Sequence, residues 1–106
     1  MISPQDRRVI RDLADKWMEF AALPVMNERK RLWRAVHDLR AERPVILFET
    51  AWIDKYVADG EVLCEDPFLR SIEKNMRITL RQAEELGDDL VIEPHYQLGW
   101  KMQFSD

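Results

Sequence analysis

Residues 43–52 read RPVILFETAW. Four consecutive apolar residues, Val45 to Phe48, follow a proline and end on a carboxylate, Glu49. A run this short with no polar alternation is the pattern of a strand covered on both faces. The theme returns at residues 88–95, DDLVIEPH, where Leu90 to Ile92 precede Glu93. Two such strands with a helix between them make a βαβ unit, whose crossover is right-handed.

The flanking sequence supplies the helices. Ser3-Pro4-Gln5-Asp6 has a capping hydroxyl, a proline for the first helical position and an acid for the positive helix end. Val9, Leu13, Trp17 and Phe20 then recur at close to a 3.6 period. Pro24 is expected to end this helix, with Asn27 capping a second one whose buried stripe is Leu32, Val36 and Leu39. Trp33 and His37 sit one turn apart on a neighbouring face, and Pro44 closes the helix. Asp66-Pro67 opens a third helix with the stripe Phe68/Leu69, Ile72, Met76, Leu80, Ala83 and Leu86, and Gly87 stops it. Leu98, Trp100, Met102 and Phe104 alternate with more polar neighbours, the period of a half-buried strand. The expected class is therefore α/β, in the order helix, helix, β, α, β and a further β. It forms one domain over 1–106, with a helical pair over 1–43 and the βαβ unit plus C-terminal strand over 44–106.

Composition narrows the setting. With 46% hydrophobic and 34% charged residues the chain has enough apolar material for a core, and the 106 residues suit one domain. The net charge of −4 gives no general attraction to nucleic acid or anionic lipid. The exception is residues 28–43, which carry a local +3, but Glu28, Asp38 and Glu42 interleave there as on a solvated helix face. No nucleic-acid partner is expected. A single cysteine, Cys64, excludes an internal disulfide and fits a reducing compartment. Residues 1–20 hold eight charges and no apolar run, so neither a signal peptide nor a membrane span is expected, and a cytoplasmic location follows.

Sites in parallel α/β folds gather where strands end. Glu49 and Glu93, with His95 nearby and Trp52 as an apolar wall, are accordingly the candidate ligand-lining residues. They could bind a polar ligand or exchange a proton, although an acid after a strand also serves as an ordinary solvated loop residue. Cys64, His37 and His95 have no metal-binding spacing, so no metal site is expected. No nucleophile elbow or glycine-rich phosphate loop is present. No catalytic residue is assigned.

The ordered pieces NERKRLWRAVHDLRAERPVILFE and LCEDPFLRSIEKNMRITLRQAEELGDDLVIEPHYQLGW resemble the amino-terminal region of the uroporphyrinogen decarboxylase-like family, in its corrinoid-dependent methyltransferase branch. The cues are the tryptophan of the second helix, Arg43-Pro44 before the first apolar run, Cys64-Glu65-Asp66-Pro67 at the third helix start, and Asp88-Asp89 before the second run. The resemblance implies a (β/α)8 barrel, of which this chain would hold only the first part, since such barrels take ~250 residues. It also implies zinc and a corrinoid protein partner for a full-length enzyme. The family's zinc ligands lie further along and match none of His37, His95 or Cys64. The segment after the first run, ETAWIDKY, does not match the decarboxylase's arginine-rich substrate loop. The expectation is an amino-terminal module that is inactive alone. Open sheet edges invite pairing, so either a homo-oligomer or the remainder of a barrel enzyme is expected to cover them. The alternative is a non-catalytic interaction or dimerisation module, with Trp33, Trp100 and Phe104 as the interface candidates.

Overall fold

The computed structural model describes residues 2–49 and 56–96. Three helices organise them: α1 Pro4–Ala21, α2 Pro24–His37 and α3 Pro67–Glu85, with a short 3-10 turn at Asp59–Glu61. α1 packs on α3 through Leu13, Met76 and Leu80. Met26 of α2 and Ile92 of the segment after α3 close the same core, with Trp17, Phe20 and Tyr96 around it.

Each helix begins at a proline. Ser3 Oγ accepts from the N–H of Asp6 at 3.0 Å, and Asp66 Oδ2 from that of Leu69 at 3.1 Å, as the capping residues require. Pro24 does not end α1 as expected; it occupies the first turn of α2, where its missing N–H has no intrahelical partner to lose. Asn27 consequently lies within the helix and caps nothing. The far end of α2 also departs from the expected pattern. Arg40 N–H reaches Ala35 O at 2.7 Å and Leu39 N–H reaches Val36 O at 3.1 Å. This is a Schellman closure, with Leu39 in the left-handed region at φ 59°. Leu39 is 92% exposed, so it terminates the helix and does not belong to its buried stripe. Gly87 takes the matching conformation after α3, as its position implied.

The α/β expectation is not met. Among the described residues there is no strand, and so no βαβ unit and no start of a (β/α)8 barrel. Val45–Phe48 and Leu90–Ile92 are extended, but between residues 44–49 and 88–93 a single backbone–backbone hydrogen bond is formed, Asp89 N–H to Ile46 O at 2.8 Å. Side chains satisfy several of the remaining backbone groups, and no ladder forms. Leu98–Phe104, the further strand expected, lies outside the described residues.

The connection before α3 shows the same device in its fullest form. Four successive N–H groups point at two carboxylates. Leu63 donates to both oxygens of Glu73 at 2.9 Å and Cys64 to Oε1 at 2.8 Å. Glu65 and Asp66 donate to the two oxygens of Asp6 at 2.9 and 3.0 Å. Arg70 collects the carbonyls of Val62 and Cys64. Glu73 and Asp6 are both buried, and Arg77 Nε lies 2.6 Å from Glu73. One residue from α1 and three from α3 thus fix the loop without a neighbouring strand.

Burial pushes the Glu73 carboxyl up, but the N–H groups of Cys64 and Leu63 and the Arg77 guanidinium outweigh it and hold it below its usual range. The N–H groups of Asp66 and then Glu65 hold Asp6 down. A lowered folded-state pKa contributes stability that is complete above the unfolded value and is lost as pH falls through the folded one. Thermal melts should therefore be flat above about pH 4.5, the ordinary Glu value, and decline below it. Glu73→Ala, which strands the N–H groups and Arg77, should lose about 3 kcal/mol in denaturant titration. Leu39→Gly should gain about 1 kcal/mol, because it relieves a left-handed non-glycine residue.

Candidate functional site

Asp88 and Asp89, between α3 and the buried Ile92, organise the region where a site was expected. Asp89 takes the guanidinium of Arg43 through two bonds, at 2.8 and 2.9 Å, and accepts the N–H of Ile46 at 2.8 Å. Asp88 accepts the N–H of Phe48 at 3.0 Å and the Gln82 amide at 2.7 Å, and the same amide reaches Phe48 O. Both aspartates are buried. Arg43 first, and then the Ile46 N–H, hold the Asp89 carboxyl down at about 2.

The first helices grip the other side of this segment. Trp33 Nε1 donates to Asp89 O at 2.8 Å, and Arg29 Nη1 to Leu90 O at 2.7 Å. Further along, Trp17 Nε1 donates to the carbonyls of Glu93 and His95 at 2.8 and 3.2 Å, while its ring meets Tyr96 edge-on. Indole and guanidinium donors on α1 and α2 thus lay residues 89–95 along the helices.

The expected ligand-lining set is not assembled as a proton-exchanging rim. Glu49 is exposed, and no hydrogen bond or ion pair joins it to Glu93 or His95 among the described residues. Glu93 is exposed and pairs with Lys30 at 3.1 Å. His95 is exposed and contributes its backbone carbonyl to Trp17. Trp52, Trp100 and Phe104 lie outside the described residues. Cys64 is buried, and burial first, then its contact with Glu73, pushes the thiol up to about 12. Among the described residues no group of three or more His, Cys, Asp or Glu side chains is placed to hold a metal.

Two features remain as candidates. One is the apolar run itself. Ile46, Leu47 and Phe48 are 55, 50 and 50% exposed, where a doubly covered strand would bury them. Alternate residues of an extended chain direct their backbone groups to opposite edges. Ile46 and Phe48 face Asp88 and Asp89; Val45 and Leu47 face the other way and find no backbone partner among the described residues. The other is an open groove of about 450 Å³ between α2 and the extended chain. Lys30, Trp33, Arg34 and His37 line one side, Leu47 and Val91 the other. Trp33 and His37, one turn apart on α2, thus both border this groove.

No family model, curated protein or solved structure matches the chain. The resemblance to uroporphyrinogen decarboxylase-like proteins rests on the residues quoted above.

Asp89→Asn removes half of the fork to Arg43 and offers the Ile46 N–H a weaker acceptor. It should cost about 1–2 kcal/mol, and amide exchange at Ile46 should quicken while α1 and α3 stay protected. In the wild type the Asp89 contribution is complete above pH 3.8 and is lost only as pH falls through about 2. Exchange at Ile46, measured against pH, checks that order.

Proposed function

We propose that this chain is a non-catalytic interaction module that presents the extended segment 45–48 to a covering partner. The setting is the one its resemblance implies: the amino-terminal module of a uroporphyrinogen decarboxylase-like methyltransferase, working in the cytoplasm beside a corrinoid protein. The partner is a second copy of the chain or the remainder of that enzyme.

One observation carries the reading. Three successive large apolar side chains stand about half exposed on a backbone that is itself firmly held. Covering the exposed half of each is worth about 0.8–1.5 kcal/mol, so a chain with these side chains uncovered gains by association. Clustered exposed apolar side chains mark interaction sites on soluble proteins. An extended segment whose second backbone edge meets no partner among the described residues adds main-chain bonds to that gain. No helix among the described residues is long and apolar enough to cross a membrane, so the face is not part of a helical span.

Sedimentation and light scattering test the proposal. The wild type should self-associate, or bind the purified catalytic chain of a uroporphyrinogen decarboxylase-like methyltransferase from the same organism. Leu47→Asp and Phe48→Asp should abolish this while circular dichroism is unchanged, since both leave the Asp88 and Asp89 bonds to the backbone in place. A wild type that stays monomeric and ignores that chain, or variants that associate as before, would sink the idea.

A further inference from the structure

We infer that the groove between α2 and the extended chain receives an extended peptide segment bearing carboxylate side chains. This rests on the module reading above and specifies the chemistry of what the module grips. Lys30, Arg34 and His37 follow one another at four- and three-residue spacing, so they form a single stripe along the groove wall. The floor beside them is apolar: Trp33, Leu47, Leu90 and Val91.

The acids near the groove are already engaged. Asp89 holds Arg43 and the Ile46 N–H, and Glu93 pairs with Lys30. Arg34 is exposed and forms no ion pair among the described residues, unlike Arg31 one turn back, which holds Glu28 and Glu42. In a chain of net charge −4 the groove is thus a place where cationic and apolar surface adjoin. Its occupant must carry apolar side chains for Trp33 and Leu47, and an anionic group opposite Arg34.

Peptide fits this better than nucleic acid. The carboxylates of Asp89 and Glu93 also border the groove and oppose a continuous line of phosphates. Separate carboxylates on a peptide can be spaced to avoid them. The outward backbone edge at Leu47 adds N–H and C=O groups that an extended peptide can pair with and a base cannot follow.

The probes are acetyl-Leu-Glu-Leu-Glu-Leu-amide and its counterpart with glutamine in place of glutamate. The reporter is the Trp33 indole N–H signal in a nitrogen-15 spectrum of the whole chain, assigned by its loss in Trp33→Phe. The glutamate peptide should shift this signal saturably and bind more weakly at high salt. Affinity should fall about tenfold for the glutamine peptide, and about tenfold for the glutamate peptide on Arg34→Glu. Arg34 is exposed, so the variant keeps its fold. Equal binding of both peptides, no response to Arg34→Glu, or no shift at all overturns the inference. If Leu47→Asp still abolishes association while the glutamate peptide leaves Trp33 unmoved, the carboxylate assignment fails and the module reading stands. If the peptide binds but association never occurs, the reverse holds.

Discussion

Carboxylate side chains that accept backbone N–H groups hold this structure together. Asp6 and Glu73 do so for residues 63–66, and Asp88 and Asp89 do so for Ile46 and Phe48. An extended chain needs partners for its polar backbone wherever water is excluded, and a sheet normally supplies them. Here the partners come from helices and from one aspartate pair. A charged acceptor makes a stronger hydrogen bond than a carbonyl does, so two oxygens can take the place of several rungs. The arrangement is also specific: Glu73 serves the neighbouring N–H groups of Leu63 and Cys64, and Asp6 those of Glu65 and Asp66.

This dependence orders the molecule. The α1–α3 pair forms the core, and the pinned loop 62–66 joins the two helices at the Asp6 end. α2 is tied in by Met26, which is buried in the same core, and by its grip on the segment that follows α3. Residues 43–48 hang on that segment in turn, through Asp88, Asp89 and Gln82. Stability therefore runs from the helical pair outward, and the apolar run sits at the end of the chain of dependence.

The helices were legible in the sequence because their signals are local. Ser3, Asp66 and Gly87 act where capping chemistry puts them, and the 3.6-residue period located Leu13, Met76 and Leu80. The strands were misread because a short apolar run carries no periodicity that separates a laddered strand from an extended segment held by side chains. Ile92 did turn out to be buried, but Ile46 to Phe48 did not, and nothing in VILF distinguishes the two cases. The buried acids were missed for a related reason. Asp6 reads equally as a charge for the helix end, and Glu73 reads as an exposed helical residue until α1 and the loop are placed around it. The doubled Asp88-Asp89 was the available cue: two adjacent acids before an apolar run need a reason to be buried. Glu93 pairs with Lys30 on α2, and sequence alone does not bring those two together.

Tethering by side chains has a consequence for recognition. The segment 45–48 is already straightened in the isolated chain, so the entropy of fixing its backbone has been met before any encounter. An incoming strand would find a template set in place and would lose mainly its own freedom on docking. Because Asp88 and Asp89 occupy one edge only, such a strand could add on the opposite edge without displacing them, leaving the carboxylates as a permanent backing.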